Sequence, residues 1–286
     1  MWIIYALIAT VGYSSNHIVN KFILEKLNTW NTVFITSFFV SLIIFVFSIL
    51  YWVDWVMPSF YEWIFLIFSS VIGFIALWGL FKSFENISIG ESISIANAFP
   101  FVMLILMFVF YQELINIFQF FAMLIVFVWI VLIAIQDQNF RFSKKTLYAF
   151  ITLVGWWIYN FSMDFFVRQW FEILQIAFMF EFGIFISSLL YVVFTNQVNK
   201  DFCLFLKNNL KIVWLGFLSW ISTAIWTFFT VLAMSYISAA IVWSVVSSQV
   251  VFSTILGYLV LNEKISIKKI VGIWIVFVGL FIYNFV

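Results

Sequence analysis

From Trp30 to Trp52 the chain runs for 23 residues without one charged side chain. A helix rises 1.5 Å per residue, so such a run crosses the roughly 30 Å hydrocarbon core of a bilayer. Cutting the whole chain at charged and turn-rich points yields ten such runs: about 2–22, 30–52, 62–82, 89–111, 116–135, 147–168, 172–195, 211–233, 238–261 and 268–286. Backbone polar groups in lipid must satisfy one another, which leaves helices or closed barrels. These runs lack the period-2 alternation of a barrel strand. The expected fold class is therefore an all-α membrane protein with ten transmembrane helices.

The polar links, Asn28-Thr29, Asp54 to Tyr61 with Pro58, Gln136 to Lys145 and Asn196 to Asn209, are too short to hold a soluble domain. Only 9% of residues are charged and 66% are hydrophobic, whereas a soluble chain carries about 25% charged residues. One Cys excludes an internal disulfide framework, and one Cys with one His leaves no metal-binding cluster. The opening Met1-Trp2-Ile3-Ile4 has no basic n-region, so the first run is expected to stay in the mature protein.

The chain resembles itself. A shift of 150 residues lays Ser88 to Glu113 over Ser238 to Glu263, so that Ser94 meets Ser244 and Asn97 meets Ser247; a shift of 143 lays Val11-Gly12-Tyr13 over Val154-Gly155-Trp156. The expected halves are 1–140 and 141–286, each a five-helix repeat. Five is odd, so the second copy enters from the opposite side and the repeat is inverted. That arrangement builds a midplane site that opens alternately to each face.

With ten spans, Lys21, Lys26, Lys82, Arg141, Lys144, Lys145, Lys200, Lys207, Lys211, Lys264, Lys268 and Lys269 fall on one side and Arg168 alone on the other. The positive-inside rule puts the twelve in the cytoplasm and both termini outside.

Glu181 lies about ten residues into the apolar run from Phe171 to Phe194. A carboxyl group at that depth is costly unless protonated, paired or facing internal water, and marks a functional site by default. The alternative is a neutral acid hydrogen-bonded to a neighbouring helix. The first span is also unusually polar, from Tyr13 to Lys21. Tyr13, Asn16 and Asn20 share one helical face, and Ser14, His17 and Lys21 a neighbouring one. Asn16 lines a solute path or ties helices together; His17 carries a proton or serves as a neutral hydrogen-bonding group.

Ser94 and Asn97 in span four, and Ser244, Ser247 and Thr254 in span nine, form small polar stripes that suit either a cavity wall or close helix packing. Pro100 is expected to kink span four, and its counterpart Val250 leaves the second copy without that device. Trp78, Tyr159, Trp226 and Trp243 are candidates to pack around a solute or hold a cation over a ring face. Trp2, Trp30, Trp52, Trp55 and Trp63 suit the interfacial belt. Asp164 is placed to pair with Arg168 four residues on; Glu91 suits a helix N-terminus, and Glu113 and Glu263 look architectural. No Walker-type loop, His-Glu-x-x-His or Gly-x-Ser-x-Gly is present, so no enzyme and no cofactor is expected.

Three stretches carry a resemblance. They are Tyr13-Ser14-Ser15-Asn16 followed by Lys21, the mid-helix Pro100, and Leu256-Gly257-Tyr258 through Asn262-Glu263-Lys264 to Gly272 and Gly279. In order, spacing and duplication the chain resembles the ten-span EamA-type members of the drug/metabolite transporter superfamily over essentially its whole length. The resemblance implies a secondary carrier, in the inner or plasma membrane, with a central cavity facing Asn16, Ser94, Asn97, Ser244 and Ser247. Its solute would be a small organic metabolite such as an amino acid or amine. The chain departs from the pattern at Tyr13-Ser14, where the family has Trp-Gly, and in its outside termini. The expected partners are the solute, the lipid bilayer and coupling protons; no nucleic acid is expected, and the chain is taken as a monomer. The contrasting expectation is a non-transporting membrane binding protein that keeps the fold but not the cycle.

Overall fold

A computed structural model describes residues 1–97, 99–114, 146–169, 171–196 and 208–262, with isolated positions between 116 and 128 and between 270 and 278. The expected spans 116–135 and 268–286, the boundary at 140/141, Glu263, Gly272, Gly279 and the side chain of Pro100 fall wholly or largely outside the described residues. So do Arg141, Lys144, Lys145, Lys200, Lys207, Lys264, Lys268 and Lys269.

The regular structure among the described residues is helical: α1 (Trp2–Leu24), α2 (Thr29–Leu50), α3 (Phe60–Phe84), α4 (Ile89–Ala96), α5 (Phe99–Tyr111), α6 (Leu147–Arg168), α7 (Ile173–Phe194), α8 (Leu210–Met234), α9 (Ala239–Val246) and α10 (Gln249–Leu261). Polar residues at the links start the helices. Asn28 caps α2 through the Asn31 N–H at 2.8 Å, and Ser59 with Glu62 forms a capping box on α3, each satisfying amide groups that have no partner within the helix.

Six stretches are long and apolar enough to cross a membrane: Thr29–Leu50, Phe60–Phe84, Leu147–Arg168, Ile173–Phe194, Val213–Met234 and Ala239–Leu261. Helix α1, at 23 residues, has the length but not the apolarity. Its polar groups are turned inward: Thr10, Ser14, Asn16, His17 and Asn20 are all buried.

The runs expected as unbroken spans four and nine are each interrupted, between α4 and α5 and between α9 and α10. Pro100, in the first turn of α5, has no amide to donate back into α4. The second copy has no proline, yet it breaks at the equivalent place. There Ser248, Val250 and Val251 donate to carbonyls three residues back, at 3.0, 3.2 and 2.9 Å, a local tightening of the helix. Both copies are thus interrupted at the matched place, although only the first has a proline there.

A shift of 150 residues superposes the boundaries of α3, α4 and α5 on those of α8, α9 and α10, and a shift of 144 superposes α2 on α7. Packing respects the same exchange. Helix α1 packs on α8 and α6 on α3, while α2 packs on its own counterpart α7. The glycines match too. A Cβ on Gly12 of α1 would meet the Ser222 carbonyl oxygen of α8 at 3.1 Å and Trp226 Cβ at 3.7 Å; one on Gly155 of α6 would meet Ala76 of α3.

Each of these three pairs runs antiparallel. In α1 and α8, Tyr5 meets Phe229 while Asn20 meets Ser219; in α3 and α6, Phe65 meets Phe166 while Trp78 meets Tyr148. In α2 and α7, Trp30 meets Tyr191 while Phe45 meets Phe178. The helix ends sort into two faces accordingly. Lys21, Lys26, Lys82 and Lys211 lie at one, and Arg168 lies at the other.

Candidate functional site

The site is built where α1, α6, α7, α8 and α9 converge. Trp226 of α8 is its hub. Tyr13 of α1 stacks on it at 4.4 Å between ring centroids and 12° between planes, Trp156 of α6 approaches edge-on at 6.3 Å, and Trp243 of α9 lies at 6.1 Å. Tyr159 extends the group, edge-on to Trp156 at 5.3 Å and to Phe180 at 5.2 Å. His17, one turn along α1 from Tyr13, sits 4.1 Å from its ring and 5.5 Å from Phe84.

Glu181 joins this group from α7. It is 4% exposed, and its Oε1 accepts a hydrogen bond from Thr227 Oγ1 at 2.8 Å, next along α8 from the Trp226 hub. Tyr13 and Tyr159 both lie within electrostatic reach of the carboxyl group. Small residues make room for these rings: Gly73 of α3 leaves the space that the Tyr159 ring occupies.

Several polar atoms in and around the cluster are buried without a hydrogen-bond partner, among them Tyr159 Oη, Trp226 Nε1, Asn160 Oδ1 and Ser247 Oγ. Orphaned buried donors and acceptors are costly and uncommon. Among the described residues no group of His, Cys, Asp and Glu has the arrangement of a metal site.

Of the residues predicted from sequence, Tyr13, His17, Tyr159, Glu181, Trp226 and Trp243 come together. The others do not. Asn16 accepts from Asn20 Nδ2 at 2.6 Å and from Ser219 Oγ of α8, and Ser219 also reaches Asn20 Oδ1 at 3.0 Å, so it ties α1 to α8. Trp78 stacks on Trp30 at 4.9 Å, and Trp30 on Tyr191 at 3.8 Å, a separate aromatic group that draws Trp30 out of a purely interfacial role. Ser94 and Ser244 donate to carbonyls of their own helices, Gly90 and Ile241, both at 2.6 Å. Asn97 and Ser247 occupy the two helix breaks, and Asn97 accepts from Gln249 Nε2 across the halves. Asp164 and Glu113, expected to be structural, are so placed: Arg168 donates to Asp164 at 2.6 Å and to Glu113 at 2.5 Å.

Sequence reasoning passed over Trp156, Thr227 and Gln249. Trp156 had a signal, since it overlies Tyr13 in the internal repeat. Thr227 and Gln249 had none beyond lying in apolar runs.

The helices and the buried polar centre define an all-helical, multi-pass integral membrane protein with its polar groups gathered between two similar halves. A profile of the EamA-like transporter family matches residues 1–135 and again 143–285. The chain belongs to that family. It is similar in fold to a solved structure titled only "Crystal structure of protein", with a TM-score of 0.69 and 14% identity over 98% of this chain and 95% of that one. No curated protein matches it in sequence.

Proposed function

We propose that the chain is a secondary carrier that moves a small organic metabolite by alternating access, with the cluster around Glu181 and Trp226 as its solute site. The observation that carries this reading is a buried carboxyl group among aromatic rings contributed by both halves of an EamA-family chain. In this reading residues 1–140 and 141–286 are two inverted five-helix repeats making ten spans. The antiparallel pairing of α2 with its counterpart α7 supports the inversion, and the ends of α5 and the start of α6 lie at opposite faces, as a crossing within 112–146 requires. The two broken helices beside the site supply hinges in matched positions, where a small change of angle opens one face or the other.

Tyr13, His17, Tyr159, Glu181, Trp226, Trp243 and Ser247 contact solute, whereas Asn16, Trp78, Ser94, Asn97 and Ser244 hold the surrounding helices. The carrier works as a monomer in the cell inner or plasma membrane, drives no covalent reaction, and exchanges solute against a proton or a second solute. Purified protein in proteoliposomes, offered a panel of labelled metabolites, tests the reading. Saturable uptake of at least one, abolished by unlabelled excess, is expected. Binding without flux across the whole panel would make the protein a membrane receptor instead.

A further inference from the structure

We infer that the solute of this site is a small monovalent organic cation carrying a hydrogen-bond acceptor, and not a zwitterion or an anion. The inference deepens the carrier reading and rests on it for the site's location. Its first ground is charge. The described Lys and Arg side chains all lie in terminal turns or links: Lys21, Lys26, Lys82, Arg168 and Lys211. Glu181 is the sole described carboxylate in the middle of a long helix; the rest lie in links or within five residues of a helix end. A solute carboxylate placed in this cluster would therefore be desolvated beside Glu181 with no described Lys or Arg to meet it, whereas an ammonium group would neutralise the one described acid in the cluster.

The second ground is the rings. Trp and Tyr faces attract a cation through their quadrupoles, Trp most strongly, and do so more when water is excluded. Trp226, with Trp243, Trp156 and Tyr13 around it, supplies a group of four such rings, all buried. The third ground is the unpartnered donors. Trp226 Nε1 and Tyr159 Oη are buried without acceptors, and a hydroxyl or ester oxygen on the solute would complete them. The asymmetry of the site agrees. On the 150- and 144-residue shifts, the counterparts of Trp226 and Glu181 are Ala76 and Ser37, so this pairing of rings and acid occurs once and not twice.

Isothermal titration of the full chain in nanodiscs, with two matched series, tests this. The first is choline, its neutral isostere 3,3-dimethylbutanol and the zwitterion betaine; the second is phenylalanine methyl ester, methyl 3-phenylpropanoate and phenylalanine. In at least one series the cation is expected to bind at least tenfold more tightly than both companions. Glu181→Gln should erase that preference, and Trp226→Leu should reduce it severalfold, so a folding defect in one variant leaves the other as a test. No cation preference in either series, or a preference intact in Glu181→Gln, overturns the inference. The carrier reading fails separately: cation binding without flux in proteoliposomes sinks it alone, and flux confined to zwitterionic or neutral solutes sinks only the cation assignment.

Discussion

Thr227 Oγ1 donates to Glu181 Oε1 at 2.8 Å, and this bond fastens the buried acid of α7 to the helix that also carries Trp226. A carboxylate offers about four acceptor positions, so one threonine leaves capacity for a solute. Glu181→Gln preserves shape and hydrogen bonding while removing the charge. It is expected to leave the unfolding midpoint within a few degrees of the parent and to lower uptake at least tenfold. Near-normal uptake would reduce Glu181 to a structural hydrogen-bonding residue.

The threonine makes its own prediction. Thr227→Val keeps the volume and removes the donor, leaving a buried acceptor without a partner, at a cost of about 1–3 kcal/mol. Thr227→Ser should recover most of that loss. Thermal unfolding in detergent distinguishes the two, and equal midpoints for Val and Ser would show that the bond contributes nothing to stability.

Much of this arrangement was legible in the chain. Apolar run lengths gave the positions of most helices, and the overlay of Ser88–Glu113 on Ser238–Glu263 anticipated the matched α4–α5 and α9–α10 pairs. Glu181, Tyr13, Tyr159, Trp226 and Trp243 stood out because Trp, Tyr and acidic residues inside a span have few bland uses. What stayed hidden depended on partners distant in sequence. Residue type alone leaves Asn16 and Ser94 open between a cavity wall and helix packing; Ser219, 203 residues away, is the partner of Asn16, and Ser94 folds back on its own helix. The break at Ser247 carried no proline to announce it.

Gly73 sets the position of Tyr159. A Cβ there would press into the ring at 2.5–2.7 Å from two of its carbons, with Ile184 3.2 Å away on another side. Gly73→Ala should therefore displace the ring and destabilise the protein by about 1–3 kcal/mol, the usual cost of overpacking a core. Combining it with Tyr159→Leu should restore part of the loss, a non-additivity expected of residues in contact. Additive effects in the double variant would place the strain elsewhere.

Arg168 bridges Asp164, at 2.6 Å, and Glu113, at 2.5 Å, and its guanidinium lies 4.0 Å over the Tyr111 ring; Glu113 also accepts from Ser238 Oγ at 2.5 Å. The cluster joins α5, α6 and the start of α9 at one face. Asp164 is 1% exposed, so Arg168→Ala strands a buried acid at a cost of about 1–3 kcal/mol. Arg168→Lys should rescue little, because a single ammonium cannot present the two-sided fork that serves both acids and stacks on a ring. Thermal unfolding of the two variants decides it, and a Lys variant as stable as the parent would show that charge alone suffices.

The last prediction fixes which way the bundle faces. Four described lysines, Lys21, Lys26, Lys82 and Lys211, gather at one face, opposite Arg168 and Met1. Cationic side chains near helix ends are retained on the cytoplasmic side during insertion, so Met1 is expected on the opposite side of the membrane. A single cysteine added at the N-terminus of a variant with Cys203→Ser should react with a membrane-impermeant maleimide in intact cells. A cysteine at Lys82 or Lys211 should react only after the membrane is opened. The reverse pattern would show that the charge bias does not set the orientation of this chain, and would exchange the assigned identities of the two faces without altering the packing between its halves.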